Sequence, residues 1–282
     1  MRGEIGRAVR RGARSGPHGG RAGLRAVTAA RLGIVTVLIA LSACGGQDAP
    51  EQTAPPCRTE RFEGQRFTHC IADPERHEIA LYLDGADGRP LERFGALRDL
   101  LGDVAGTIAF AMNAGMYGED LRPIGLFVTD GEERVPLNRN AGPGNFHMAP
   151  NGVFYADDAG WHVATTADYA ARSPRPRIAT QSGPMLVIAG KLHPDFSENG
   201  PSRHFRNGVG VDADGNAHFV ISDDMVSFYR FARFFRDVAK TPDALYLDGA
   251  VSGLWDPAGE RMDAAPPLGP LIAVRNSAKA EP

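Results

Sequence analysis

The chain has 282 residues, 43% hydrophobic and 23% charged, enough for one sizeable core, with one domain the default. Its 34 Gly and 21 Pro point to many turns and a β-rich fold, and argue against a helical bundle. The net charge of −3 hides an asymmetry: eight Arg and one Glu give residues 1–31 a charge of +7, leaving −10 on the rest, which excludes a basic footprint for nucleic acid and adhesion to anionic lipid by charge.

Residues 32–41 are an apolar run too short to anchor a helix across a bilayer, and Leu41-Ser42-Ala43-Cys44 follows it. A basic stretch, a short apolar core and small residues in that order read as a secretory signal. The cysteine directly after the small residues resembles the lipobox of bacterial lipoproteins, which implies residues 1–43 as leader and Cys44 as the lipidated first residue of the mature chain. The location implied is the cell envelope, lipid-anchored, on the periplasmic or outer-membrane face after export. Residues 44–65 would be a polar tether and the start of a hairpin. With Cys44 so modified, Cys57 and Cys70 remain as an even pair in an oxidising compartment. Glu63-Gly64-Gln65 between them reads as a hairpin turn, so a disulfide is expected there.

The ordered part follows as an α+β fold: a single β-rich domain with mixed or antiparallel sheet and a few packed helices. It spans residues 66–276, with 277–282 as a tail and the end reading as frayed from Arg275 onward. Strands are predicted at 67–72 and 78–83, separated by Asp73-Pro74. Residues 92–103 read as a short helix with Phe94, Leu97, Leu100 and Leu101 on one side. Further strands are predicted at 107–112, 126–129, 152–155 and 160–164, then a helix at 167–172 ending before Pro174. Strands at 184–188, 209–212 and 217–222 follow, the last two joined by Asp214-Gly215. The strongest helix is 227–240, where Phe228, Phe231, Phe235 and Val238 share a face at helical spacing. Asp223, Asp224 and Ser227 are placed to cap it, and Lys240 and Pro242 to end it. It leads into Ala244-Leu245-Tyr246-Leu247-Asp248-Gly249, a buried strand that delivers an acid at its exit.

Several strand ends share one wording: an apolar run, then polar residues and glycine. Asn113, with Gly115 two residues on, ends the first. Gln181-Ser182-Gly183 opens another, Arg206-Asn207-Gly208 a third, and Asp248-Gly249 with Ser252 is the last. Each alone is an ordinary turn. Together, with glycines that let backbone approach a ligand, they suggest one polar pocket at the ends of strands.

The order of these segments carries a resemblance. Asn113-Ala-Gly-Met-Tyr, Pro150-Asn-Gly-Val-Phe, Gln181-Ser-Gly-Pro-Met-Leu-Val, Arg206-Asn-Gly-Val-Gly-Val and Leu245-Tyr-Leu-Asp-Gly occur as in the phosphodiester glycosidase family, which the chain resembles from about residue 67 to 274. The resemblance implies hydrolysis between a sugar's anomeric carbon and a phosphodiester oxygen. Such chemistry needs a carboxylate to activate water or steady an oxocarbenium-like transition state, and cationic or amide donors for the phosphate. It implies Asp248 as the catalytic carboxylate, with Asp212 and Asp223 as candidates for a second. Arg206 is the phosphate candidate. Asn113, Gln181 and Asn207 would orient hydroxyls or phosphate oxygens, with Gly115, Ser182, Gly249 and Ser252 in the same binding set. Where many relatives follow the aspartate with a run of glycines and two serines, this chain has Gly249-Ala250-Val251-Ser252-Gly253.

No His, Asp or Glu grouping has zinc spacing and no Ca²⁺ loop pattern occurs, so no cofactor is expected, with a divalent ion held by aspartates as the open alternative. The expected partners are a glycan or sugar-phosphodiester substrate and a membrane reached through the lipid, with no nucleic acid. The alternatives to an enzyme are a non-catalytic binder of anionic glycans and an envelope assembly lipoprotein of the same fold.

Overall fold

The computed structural model describes residues 54–249, 251–264 and 266–277. Cys44 and the leader lie outside the described residues. The elements in chain order are β1 (Cys57–Phe62), β2 (Gln65–Ala72), β3 (His77–Tyr82), α1 (Phe94–Leu101), β4 (Ile108–Asn113), β5 (Phe127–Thr129), β6 (Glu132–Val135), β7 (Gly152–Asp157), β8 (Gly160–Thr165) and α2 (Thr166–Arg172). They continue with β9 (Ile178–Ser182), β10 (Met185–Ile188), β11 (Lys191–Leu192), β12 (Asn207–Val211), β13 (Ala217–Ser222), α3 (Phe228–Asp237), β14 (Asp243–Asp248), β15 (Leu254–Asp256), β16 (Arg261–Met262) and β17 (Leu271–Asn276).

The fold is α+β. Its strands form three sheets: β1-β2-β13-β12-β14-β10-β11, β16-β15-β4-β17-β3 and β6-β5-β9-β7-β8. Pairing in all three is antiparallel, so of the mixed or antiparallel alternatives the antiparallel one holds. The inner faces of the sheets meet in one core. Phe219 of β13 sits at its centre, edge-on to Phe110 of β4 at 5.4 Å and to Phe154 of β7 at 5.8 Å. One phenylalanine from each sheet therefore closes the core, and fully burying each ring contributes roughly 2 kcal/mol.

Each outer face is covered by one helix. Phe231, Phe234 and Phe235 of α3 bury against Phe67, Val220 and Tyr246 of the first sheet. Phe94 and Leu97 of α1 cover Ala111, Leu271 and Ala273 of the second. Tyr169 of α2 packs on Val153, Tyr155 and Ala179 of the third. The β1–β2 turn has left-handed backbone at Glu63 (φ 49°) and Gly64 (φ 79°), matching the twist a two-residue hairpin requires. That register sets Cys57 opposite Cys70, and the two are joined as a disulfide.

Several expectations need correction. The helix expected at 92–103 stops at Leu101 and runs into a 3₁₀ turn over Gly102–Thr107, leaving Leu100 exposed. The helix expected at 227–240 covers Phe228–Asp237. Its cap is Ser227, whose Oγ accepts from the Arg230 amide at 3.2 Å. Asp223 and Asp224 reach back to β2 instead: Asp223 accepts from Thr68 Oγ1 and Asp224 from the Arg66 amide. The chain after 253 also holds more order than its prolines suggest. β17 is the strand between β3 and β4, and its Arg275 and Asn276, read as frayed, pair with Glu78 and His77.

Candidate active site

The site forms where β4, β12 and β14 reach the same end of the molecule. β12 and β14 are neighbours, with Asn207 opposite Asp248 and Gly208 opposite Tyr246. Two residues on β12 thus face three on β14. This is a bulge, and it re-aims the last residues of the strand.

The turn that follows is held by side chains. Asn207 Oδ1 accepts from the Asp248 amide at 2.9 Å. Asn207 Nδ2 donates to the Asn113 backbone oxygen at 3.0 Å and its Oδ1 at 3.1 Å, which ties the first sheet to the second. Asn113 Oδ1 also accepts from the Gly253 amide at 3.0 Å. Ser252 Oγ lies 3.0 Å from the Asp248 carbonyl and 3.3 Å from Asn207 Oδ1. Asn113 and Asn207 are fully buried, and Asp248 is 8% exposed. Among the described residues Asn113 Nδ2 has no partner, a rare state for a buried donor.

Asp248 Oδ1 accepts from the Gly249 amide at 2.5 Å. A Cβ at Gly249 would stand 1.6 Å from Tyr246 Oη, so only glycine fits. Nearby, burial and then the Asp248 charge push the Tyr117 phenol up to about 12. Tyr117 therefore stays protonated, donating to the Pro267 carbonyl at 3.0 Å. Beside the turn opens a cavity of about 440 Å³ lined by His204, Phe205, Met225, Gly249, Ser252 and Asp263 among others. Phe205 and Met225 are 50% and 58% exposed at its mouth.

Of the residues expected to bind or catalyse, Asn113, Asn207, Asp248, Gly249 and Ser252 come together here. Others do not. Arg206 is fully buried, with Nε on the Val226 carbonyl at 2.9 Å, Nη1 on Tyr246 Oη at 3.2 Å and Nη2 on Ser202 Oγ at 3.0 Å. Burial pushes it below its ordinary value. It does not line the cavity and makes no direct phosphate contact from that position. Gln181 is turned into the protein, with Oε1 on the Leu126 and Asn138 amides and Nε2 on the Asn138 carbonyl. Ser182 Oγ donates to the Leu247 carbonyl at 2.7 Å, bracing β14. Gly115 serves close packing: a Cβ there would meet the Gln181 carbonyl at 2.3 Å.

The two other aspartates are also engaged elsewhere. Asp212 follows Val211, which pairs with Asp243, at the opposite end of β12 and β14 from Asp248. Its carboxylate accepts from the Asp214 and Asn216 amides and contacts His218 Nε2 at 2.9 Å. Asp223 sits at the correct end of the sheet but is held by Arg261 Nη1 at 2.8 Å and by Thr68. The carboxylate that does line the cavity is Asp263, which sequence reasoning missed. Arg261 grips both its oxygens at 2.9 Å, and Oδ2 also accepts from the Leu254 amide. It follows a strand of two residues, too short to leave a pattern. Among the described residues, no group of three or more His, Cys, Asp or Glu side chains is arranged to hold a metal ion.

The family model described as phosphodiester glycosidase matches residues 106–257, which include Asn113, Asn207 and Asp248. The chain belongs to the phosphodiester glycosidase family. Among relatives of this phosphodiester glycosidase chain is the Escherichia coli (strain K12) "Uncharacterized protein YigE", 37% identical over 190 residues, covering 66% of this chain and 73% of that protein. The catalytic domain of zebrafish N-acetylglucosamine-1-phosphodiester alpha-N-acetylglucosaminidase, auto-inhibited by its pro-peptide, shares the fold at a TM-score of 0.53. The identity is 13%, over 80% of this chain and 85% of that one. A hypothetical protein from Synechocystis superposes with a TM-score of 0.50 at 14% identity, over 78% and 61% of the two chains. Asp263 lies beyond the matched segment.

Proposed function

We propose that this protein is a glycosidase-type hydrolase that cleaves a sugar-1-phosphodiester, or a related anionic glycan, at the cell envelope. The observation that carries this reading is Asp248, held at a two-sheet junction by Asn207 and the Gly249 amide beside an open cavity. The phosphate monoester departs readily as an anion when the sugar C1–O bond breaks, so the protein has little need to protonate it. Asp248 instead activates the attacking water or steadies positive charge at the anomeric carbon. Asp263 is the carboxylate that lines the cavity itself, oriented by Arg261.

The envelope location rests on the lipobox resemblance at Cys44, and mass spectrometry of the mature N-terminus reads it directly. The activity is tested by incubating the full chain with an N-acetylglucosamine phosphodiester and measuring released sugar. Release that disappears in Asp248→Asn supports the hydrolase. Binding without release in the wild type assigns the chain to the glycan-binding alternative.

A further inference from the structure

Five large hydrophobic side chains stand exposed among the described residues, and the two most exposed, Met225 and Phe205, line the same cavity. One short pairing places them there. His204 and Val226 exchange backbone hydrogen bonds at 3.2 Å and 2.9 Å as an isolated antiparallel bridge. That register sets Phe205 opposite Met225. Alternation sends both away from the side of Val226, which is fully buried with the phenylalanines of α3.

The rest of the wall matches them. Val251 comes from the β14–β15 connection, and Ala264 and Pro266 from the chain after β16. Val251 stands in the segment where many relatives carry glycines and serines, so this chain places an apolar side chain there. Five apolar residues from four segments converge on one cavity, which Gly249 and Ser252 join to the Asp248 turn. Leaving such surface in water is unfavourable, and a contiguous exposed patch marks a place where something apolar binds.

Charge decides which part of a substrate fits. Among the described residues the lining holds no lysine or arginine, and its one carboxylate is Asp263. A phosphate therefore finds neither an arginine nor a lysine to pair with on this wall. The polar side chains, His204, Ser252 and Asp263, are outnumbered by the apolar ones, which suits an alkyl or aromatic group better than a second sugar. A volume of about 440 Å³ lies in the range of small-molecule sites.

We propose that the cavity seats an apolar alcohol, alkyl or aromatic, esterified to the substrate's phosphate, and that Phe205, Met225 and Val251 select it. The proposal rests on the phosphodiester reading above and names the leaving half of that substrate. Hydrolysis puts the hydroxyl of water on the sugar C1 and its proton into solution, and the phosphate monoester departs with the alcohol still attached.

Calorimetric titration of the full chain with octyl phosphate, compared with methyl phosphate, reads the alcohol without needing turnover. Octyl phosphate should bind about tenfold more tightly, the difference expected from burying roughly two methylene groups. In the double variant Phe205→Ser/Met225→Ser the octyl-to-methyl ratio should fall below about threefold. Val251→Ser should lower the ratio in the same direction, and it decides alone if the double variant fails to fold. Leu100→Ser removes an exposed apolar side chain at the end of α1 and should leave the ratio as in the wild type. No binding of octyl phosphate by the wild type, equal affinity for the two esters, a preference that survives the double variant, or an equal loss in Leu100→Ser would each overturn the proposal. Loss of N-acetylglucosamine binding in the double variant would make the pair a sugar platform and overturn it as well. So would dimerisation of the wild type, seen by sedimentation, that the double variant abolishes. The expected preference without sugar release from an octyl phosphodiester of N-acetylglucosamine would remove the hydrolase reading and leave the apolar site standing.

Discussion

The Asp248 amide donates to Asn207 Oδ1 at 2.9 Å, so the acid at the end of β14 is positioned by the neighbouring strand as well as by its own turn. Asn207 in turn binds Asn113 of the second sheet. The backbone that carries Asp248 is thus fixed by three strands of two sheets, which leaves its side chain little freedom.

Asp248→Asn keeps the shape and the acceptor facing the Gly249 amide while removing the charge. Sugar release should fall by about 10²–10⁴-fold. The melting temperature should stay near that of the wild type. Turnover that survives the substitution takes Asp248 out of the mechanism.

Gly249→Ala introduces a Cβ 1.6 Å from Tyr246 Oη and 2.8 Å from Cζ. Overpacking of this kind costs about 1–3 kcal/mol, measurable by urea denaturation. Adding Tyr246→Phe removes the closer clash and should restore part of the loss. No recovery in the double variant would show that the strain lies elsewhere.

The Cys57–Cys70 disulfide closes a segment with a sequence separation of 13. On the loop-entropy account it contributes about 3 kcal/mol. The double variant Cys57→Ser/Cys70→Ser should melt several degrees lower, and reductant should lower the wild type by a similar amount while leaving the variant unmoved.

Stability should decline with acid in a window set by His69. Burial brings its ring down to about 4, against 6.5 for a free histidine. Its Nδ1 meets Glu60 at 2.9 Å and its Nε2 meets His218 at 2.8 Å. A lowered histidine value means the fold favours the neutral ring: its contribution is complete above about 6.5 and is lost as pH falls toward 4. Burial opposes the charged forms of Glu60 and Asp212, yet hydrogen bonds from His69 and Arg58, and from His218 and Asn216, hold both carboxyls below their ordinary values. Their contributions are therefore also lost with acid. The loss assigned to His69 is on the order of 3 kcal/mol. The urea midpoint should fall between pH 6.5 and pH 4, and His69→Gln should flatten that slope. An equally steep slope in the variant would exclude His69 as its source.

The sequence by itself determined the β-rich class, the disulfide hairpin, most strands of the first and third sheets, and the polar strand ends at Asn113, Asn207, Asp248, Gly249 and Ser252 that come together in the fold. Period-two runs bounded by Asp-Gly and Gly turns carry that information locally, and the family wording orders it. Tertiary structure alone decided which side chains at those strand ends face the cavity. Alternation along a strand tells which residues share a face, but not which face meets the ligand and which meets α3. Arg206 stands just before β12 as the sequence marked, whereas Gln181, read as opening the strand at 184, lies near the end of β9; both turn inward, where buried carbonyls, amides and a phenol satisfy them. Asp263 reaches the cavity only through the register of β15 against β16. The close approach of Tyr246 to Gly249 arises from the bulge opposite Asn207 and Gly208, a contact that no local pattern announces.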